Sequence, residues 1–386
     1  MAEKKNHHYV PQSYQRLFSN DGKSIGIYNI KKNITFNQSS IKNTMSKDYF
    51  YSKDEKIEDA LGDIERYCMW AFHKLVDNPD YNLHEVERLN ILVYLMIQHG
   101  RTAYMSKMLG DDVNKITLEM FKRFSGIKEI DPHLVFCFDE PPLFSLSVYA
   151  GMIVYVADLA FKIVNIDSNC DYSFITSDCP AFLANPYFDY LGYPGVKTLG
   201  YKGLCIMMPL TPKLLIMFYD SDVYKVGTRK GKVVINKQNE IEEINKLIAS
   251  EAYELLVYNP KYHITSSVKE YAQRVKASPK TFKFFNNKQN KLPFIHILDK
   301  AKSLNLKSCY QEDLFKLNKR DWIGLACWLL ISILVGLLAL PVMVGREIYQ
   351  YKYYHLTKFE WEDVVRYSII IILGSIINYL ILDSLL

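Results

Sequence analysis

The sequence lacks closely spaced cysteine pairs. Its seven cysteines are scattered, and none of them forms a CxxC pair. This spacing argues against a zinc ribbon and a disulfide framework, and it suits a protein of a reducing compartment. The N-terminus, MAEKKNHHYVPQ, has no apolar stretch of the kind found in signal peptides. We therefore expect the N-terminal part of the chain to stay on the side of the membrane where it is made.

The sequence also lacks internal repeats, low-complexity blocks and known nuclease motifs, such as a catalytic lysine beside paired acids or an HNH core. Its 386 residues are 49% hydrophobic and 14% aromatic, a composition typical of globular rather than disordered proteins. The length suits one large domain or two ordinary ones. Because the formal net charge is only +5, the distribution of charge is more informative than its sum.

The longest uncharged apolar run lies near the C-terminus, at residues 322–345. A helix needs about 20 apolar residues to cross a hydrocarbon core about 30 Å thick, so this run predicts a transmembrane helix. A second run, at 368–382, predicts another spanning helix, with a helix lying in the interface as the alternative. The expected C-terminal domain, 321–386, is a transmembrane hairpin with helices at about 322–345 and 367–386. Its partners would be the lipid bilayer and, through helix packing, further copies of the chain.

The charges around the apolar runs predict their orientation. Residues 261–320 carry 14 Lys and Arg against 4 Asp and Glu, whereas the loop at 346–366 carries four of each kind. The positive-inside rule then places the N-terminal domain in the cytoplasm, at the inner face of the membrane. Three interpretations remain open for the basic juxtamembrane segment at 261–320. It binds anionic lipid headgroups, it binds along the backbone of a nucleic acid, or it is a solvated linker.

The soluble part, residues 1–260, reads as an α+β domain in which a helical layer packs on a mainly antiparallel sheet. A three- and four-residue apolar spacing from Ile57 to Leu75 predicts an amphipathic helix that ends before Pro79. Short apolar runs bounded by turn residues predict strands. The predicted strands are 24–30, 33–38, 161–166, 173–177, 181–185, 204–210 and 214–220. The further predicted helices are 83–109, 112–124, 141–160 and 240–250, and 252–259 stays ambiguous between helix and strand.

Two polar clusters lie in the first part of the chain. His7 and His8 precede Pro11, which restricts the backbone, and their side chains could act as a metal ligand or a general base. Two histidines near a terminus are also often solvated, which is the alternative. Glu58 and Glu65 lie seven residues apart on one face of the amphipathic helix. Such a pair can hold Mg²⁺ or Mn²⁺, although a solvated charged flank explains the two residues equally well.

Two more polar clusters follow. Gln98, Arg101 and Thr102 share one face of an otherwise apolar helix. A buried guanidinium requires a partner, which is either a carboxylate in a structural role or a phosphate ligand in a functional one. The fourth cluster, around Asp178, lies at the end of a predicted strand. Polar residues at this position belong either to a functional site or to a turn in which they bind their own backbone. We expect Asp178 to be the partner of Arg101.

These clusters together resemble a bacterial family known only as a domain of unknown function, with an N-terminal HHYVPQ motif and a later TSD-x-P motif. The matching elements are HHYVPQ at 7–12 with Tyr14 and Phe18, IEDALGDIE at 57–65, QHGRT at 98–102, FITSDCP at 174–180, PLTP at 209–212 and the helix around Asn245. Cys179 departs from the family, which usually has Asn there. The resemblance brings no established catalytic residue, but it implies a polar set formed by His7, His8, Glu65, Gln98, Arg101 and Asp178.

The leading hypothesis for function is a membrane-anchored, metal-dependent hydrolase that acts on nucleic acid or nucleotides, in phage defence. The catalytic candidates are His7, His8, Gln98, Arg101 and Asp178, and the candidate ligands of a Mg²⁺ or Mn²⁺ ion are His8, Glu58, Glu65 and Asp178. A second hypothesis is a sensor domain that controls a membrane-disrupting hairpin in abortive infection. A third is a membrane-localised binding protein without chemistry.

Overall fold

Helices and strands fill most of the part of the chain that the computed structural model describes, which is residues 5–51, 55–124, 135, 140–193, 195–227, 232–277, 292, 294–302 and 368. The helices are α1 Gln12–Gln15, α2 Glu55–Asp77, α3 Glu85–Gly100, α4 Ala103–Phe124, α5 Pro141–Gly151, α6 Pro186–Tyr190, α7 Gln238–Glu251, α8 Ser266–Ala277 and α9 Asp299–Lys302. The strands are β1 Asn6–His8, β2 Ser24–Asn29, β3 Ile34–Ser40, β4 Ser46–Asp48, β5 Ala160–Ile166, β6 Thr176–Ser177, β7 Phe182–Ala184, β8 Cys205–Pro209, β9 Leu214–Tyr219, β10 Tyr224–Val226, β11 Val233–Ile235, β12 Leu255–Tyr258 and β13 Ile295–Ile297.

The strands of the described residues form two larger and two smaller sheets. A five-stranded sheet has the order β11-β5-β9-β8-β7, and a four-stranded sheet has the order β3-β2-β12-β6. Strand β11 pairs with β5 in parallel, and the other ladders are antiparallel. The pairs β1-β4 and β10-β13 stand apart. The α+β class is therefore confirmed, with its strands divided among several sheets.

The main core joins the helices to the five-stranded sheet. Cys68, Phe72 and Leu75 of α2 are buried in the same cluster as Ile206 and Ile216 of the sheet. Every residue of β8 and β9 is buried. Strands covered on both faces read as continuous apolar runs rather than as alternating ones, which is why LCIMMPL and LLIMFYD are recognisable in the sequence.

The helix predicted over 83–109 is wrong as a single element, because α3 ends at Gly100 and α4 starts at Ala103. Gly100 packs so closely on α5 that an added Cβ would lie 2.7 Å from Tyr149 Cβ. Ser145 Oγ donates to Gly100 O at 2.6 Å, and Thr102 Oγ1 accepts from Met105 N at 3.3 Å. These contacts end one helix and start the next in a stretch where the apolar pattern continues.

Two other predicted elements differ from the structure. The helix expected to reach residue 160 ends at Gly151, and a 3₁₀ turn leads from it to β5. The ambiguous stretch 252–259 contains strand β12. The first compact unit is Met1–Ser303 and includes α8, β13 and α9, and the boundary expected at residue 260 stays a prediction. The second unit is Leu304–Leu386.

The predicted transmembrane hairpin lies outside the described residues, apart from Ser368. Among the helices that are described, none combines the length and the apolar character needed to cross a bilayer.

The close contact at Gly100 predicts a local loss of stability on substitution. Gly100→Ala should lower the free energy of unfolding by about 1–3 kcal/mol, because the new methyl group overlaps Tyr149. Gly110→Ala in α4 is the matched control, since open space surrounds that position. It should leave stability unchanged or raise it by up to about 1 kcal/mol. Thermal unfolding followed by circular dichroism measures both, and equal melting temperatures for the two variants would contradict the packing described.

Candidate functional site

Three distant segments of the chain meet at the C-terminal end of α3. Arg101 Nη2 donates to His8 O at 2.8 Å, and Gln98 Nε2 donates to Tyr9 O at 2.9 Å. His99 Nδ1 donates to Ala181 O at 2.9 Å. The QHGRT segment thus binds the N-terminal segment and the chain that follows the TSDCP segment.

Arg101 is the centre of this meeting point. Its Nε donates to the Tyr51 hydroxyl at 2.9 Å, and its Nη1 donates to Glu65 Oε1 at 2.8 Å. With Nη2 bound to His8 O, each of the three guanidinium nitrogens has a partner within the domain. The side chain is only 2% exposed. A buried charge with this complete set of partners is characteristic of a structural element.

The expectation that Asp178 pairs with Arg101 is wrong, since the carboxylate partner is Glu65 of α2. Asp178 instead accepts three backbone N–H groups. Tyr253 N donates to Oδ1 at 2.8 Å, and Glu254 N and Leu255 N donate to Oδ2 at 2.7 and 3.1 Å. Asp178 therefore holds the start of β12 against the end of β6.

The pKa of Asp178 reflects this closed position. Burial raises its pKa to about 6, although the three backbone donors act in the opposite direction. A carboxyl group that titrates near neutral pH is a known attribute of general acids and bases. Here both carboxylate oxygens of Asp178 accept peptide N–H groups. The raised pKa of Asp178 therefore reflects its burial in a structural turn.

The two N-terminal histidines are buried, so the alternative that they are solvated is wrong. His7 stacks on Tyr51, with ring centroids 6.0 Å apart, and its Nδ1 accepts from Tyr51 N at 3.5 Å. His8 Nε2 lies 3.3 Å from Ile41 O and donates to it. Burial lowers the pKa of His8, while nearby carbonyl groups and Glu65 partly oppose that shift. His8 is therefore a neutral imidazole near Glu65.

The predicted metal ligands are not assembled into a metal site. Among the described residues, no group of three or more His, Cys, Asp or Glu side chains is arranged to hold a metal ion. His8 binds the Ile41 carbonyl, Glu65 binds Arg101, and Asp178 binds peptide N–H groups. Three members of the predicted ligand set His8, Glu58, Glu65 and Asp178 are thus engaged in other contacts.

Sequence reasoning missed Tyr51, whose hydroxyl binds the Arg101 guanidinium at the centre of the cluster. It is buried among apolar residues while its hydroxyl accepts from Arg101, and burial raises its pKa to about 12. It belongs to an aromatic run, DYFYS, without helix or strand periodicity. Only the folded chain brings it beside α3.

The predicted polar site residues around Arg101 do not line the apolar groove that lies nearby. This groove, about 360 Å³ in volume, lies between α2, α3 and α5. It is lined by Ile57, Ala60, Leu61, Ile64, Ile97, Leu146, Ser147 and Ala150. A substrate in this groove would contact mainly aliphatic side chains.

Residues 6–262 match a family model described as a protein of unknown function, DUF4238. The matched range contains every polar cluster described above. Comparisons with curated proteins and with solved structures gave no match.

The buried guanidinium predicts a large stability difference between two arginines. Arg101→Ala should lower the free energy of unfolding by about 3–5 kcal/mol, because the half-buried Glu65 loses its cation and the Tyr51 hydroxyl and His8 carbonyl lose their buried donor. Arg66→Ala is the control, since Arg66 lies on the surface of α2 and pairs with exposed Asp63. Its loss should be below about 1 kcal/mol. Denaturant titration of both variants measures the difference, and similar losses would show that Arg101 is not a structural centre.

Asp178 predicts a pH dependence of stability. Its pKa is about 6 in the folded chain and 3.8 as an ordinary side chain, so the folded state binds the proton more tightly. Asp178 therefore makes its full contribution to the free energy of unfolding below about pH 4. This contribution, roughly 3 kcal/mol, is lost as the pH rises through 6.

The D178N variant tests this prediction because it does not titrate. The stability of the wild type relative to D178N should fall between pH 4 and pH 7, as measured by urea unfolding at a series of pH values. Asp63→Asn on the exposed face of α2 controls for the general effect of removing a charge. A constant difference between wild type and D178N would refute the assigned pKa.

Proposed function

Because the chain belongs to the DUF4238 family, whose function is unknown, we propose its function from its surface and its sequence. The proposal is a membrane-tethered bacterial domain that binds nucleic acid at the cytoplasmic face of the inner membrane. Binding is assigned to the surface around α8, and the buried cluster around Arg101 is assigned to the framework of the domain.

The observation that carries the proposal is the position of α8. This helix belongs to the basic segment 261–320, but it is folded onto the domain through buried Val268 and Ala272. Arg274 and Lys276 are exposed on the helix, and Lys261 is exposed in the segment that precedes it. Lysine and arginine side chains on a surface of this kind neutralise phosphates and release counterions.

Aromatic rings alternate with these cations, which favours nucleic acid over a plain anion. Lys261 Nζ lies 5.7 Å from the centroid of the Tyr262 ring, and the Arg274 guanidinium lies 5.4 Å from that of Tyr271. Lys269 Nζ also lies 5.3 Å from the Tyr28 ring, but that ring is buried and is not open to a base. Proteins that bind single strands combine a basic surface with rings on which bases stack. A phospholipid headgroup offers phosphate but no base to stack.

Binding is proposed ahead of cleavage because the catalytic candidates are buried. His7, His8, Gln98, Arg101 and Asp178 are all among the buried polar residues. A phosphate could reach Arg101 only if it displaced Glu65 or Tyr51. Hydrolysis with Mg²⁺ or Mn²⁺ is the second proposal, supported by the neutral His8 imidazole near the Glu65 carboxylate.

The membrane tether is supported by the sequence, through the apolar runs at 322–345 and 368–382. The same layout suits a sensor, in which a bound nucleic acid changes the state of the hairpin during phage infection. Binding at α8 is the step that both roles share.

A salt titration of single-stranded DNA binding tests the proposal on the full chain in detergent. The double variant Lys261→Gln/Lys276→Gln should bind more weakly and should reduce the slope of log affinity against log salt by roughly 1.4. The double variant Arg66→Gln/Lys107→Gln removes two exposed charges from α2 and α4 and should leave the slope unchanged. Fluorescence anisotropy of labelled DNA gives both quantities.

Two results of that titration would count against the proposal. If both double variants change binding equally, the interaction is a response to net charge and not to the α8 surface. If probe DNA is shortened in Mg²⁺ or Mn²⁺ but stays intact in a chelator, the hydrolase proposal replaces simple binding.

A further inference from the structure

The Tyr262 ring, in the segment before α8, lies beside two lysines that come from different parts of the fold. Lys261 Nζ is 5.7 Å from the ring centroid, and Lys213 Nζ is 5.1 Å from it. Lys261 is the chain neighbour of Tyr262, whereas Lys213 belongs to the turn between β8 and β9 and reaches the ring only in the folded chain. The basic and aromatic surface at α8 therefore extends onto a second element.

The Lys213 ammonium is held in place by peptide oxygens. Its Nζ donates to Tyr172 O at 2.9 Å and also to Cys170 O. The backbone of the turn is fixed as well, because Thr211 Oγ1 accepts from Lys213 N at 3.2 Å and from Leu214 N at 3.0 Å. The two peptide oxygens are uncharged, so they orient the cation without supplying a negative charge.

The two lysines are close enough to act on each other as like charges. Burial lowers the pKa of Lys213, and the charge of Lys261 lowers it further, while Cys170, Asp171 and Asp167 act in the opposite direction. Like charges that face one ring repel each other, and the repulsion is stronger where water is partly excluded. An anion that binds at the ring would relieve this repulsion.

The Tyr262 ring is accessible and its backbone is anchored. The residue is half-buried, and its N–H donates to Asn259 O at 2.9 Å. Lys261 is exposed, so its side chain is free to turn toward an anion in solution. Proteins that bind single strands combine these two components, since a base stacks on the ring and the cations attract the phosphates.

We infer that Tyr262, Lys213 and Lys261 form a subsite for one unpaired nucleotide, in which the base stacks on the ring and the flanking phosphates lie against the two ammonium groups. This inference rests on the proposed binding of nucleic acid at α8, and it adds a preference for single strands over duplexes. The bases of a duplex are already stacked on one another, so a duplex offers this surface only its phosphates.

Anisotropy titrations of the full chain in detergent, with single-stranded and duplex DNA over a series of salt concentrations, test the stacking contact. Tyr262→Leu should weaken single-strand binding by roughly tenfold at every salt concentration. The slope of log affinity against log salt and the affinity for duplex should stay unchanged, because stacking involves no release of counterions. Tyr262→Phe keeps the ring and should bind like the wild type. Tyr67→Leu, which removes an exposed tyrosine from α2, is the control and should change neither affinity.

A second variant tests whether Lys213 belongs to the subsite. Lys213→Gln should reduce the salt slope for single strands by roughly 0.7, the value for one phosphate contact. Lys107→Gln, at an exposed position on α4, is the control and should leave the slope unchanged. If Lys213 only holds the chain at Cys170 and Tyr172, its variant will also leave the slope unchanged, and that result would exclude it from the subsite.

Two results would overturn the inference while the proposed function stands. One is a Tyr262→Leu variant that is folded by circular dichroism and binds single strands like the wild type. The other is an equal loss of affinity for single strands and duplexes, because the ring would then not contact an unpaired base. The proposed function itself fails if the wild type does not bind single-stranded DNA, and the subsite then fails with it.

Discussion

The Arg101 guanidinium is the interaction on which the rest of the domain depends. It is nearly inaccessible to water, and it binds a carboxylate of α2, a tyrosine hydroxyl and a carbonyl of the N-terminal strand at once. Burying a cation is costly unless its partners are complete, so α2, α3 and the N-terminal strand must keep their relative positions. Gln98 and His99 extend the same junction to Tyr9 and to Ala181.

This constraint changes how the polar motifs are understood. Imidazole, carboxylate, amide and guanidinium groups in one place resemble the contents of a hydrolase site, yet here most of them bind the chain itself. Asp178 shows the same behaviour, since its oxygens accept the N–H groups at the start of β12. The exposed cations and half-buried tyrosines on which we base the proposed binding lie elsewhere, at α8 and in the segment before it.

Sequence reasoning located most elements and motifs, but it did not identify which residues pair. The spacing of Ile57 to Leu75 predicted α2 because one face of that helix is buried, and the apolar runs predicted β8 and β9 because both faces of those strands are covered. The break between α3 and α4 had no local signal, since Tyr149 approaches Gly100 only in the folded chain. Glu65 and Asp178 were equally suitable partners for Arg101 by charge, and only the packing of α2 on α3 decides between them.

The central claim is that Arg101 belongs to the framework and the ligand-binding surface lies at α8. Nuclear magnetic resonance of the arginine side chains, recorded on the full chain during titration with single-stranded DNA, tests it most directly. The account predicts that the Arg101 Nε–H exchanges slowly with water and keeps its chemical shift when DNA is added, whereas the Arg274 signal moves. Fast exchange at Arg101, or a shift of its signal on binding, would contradict the account.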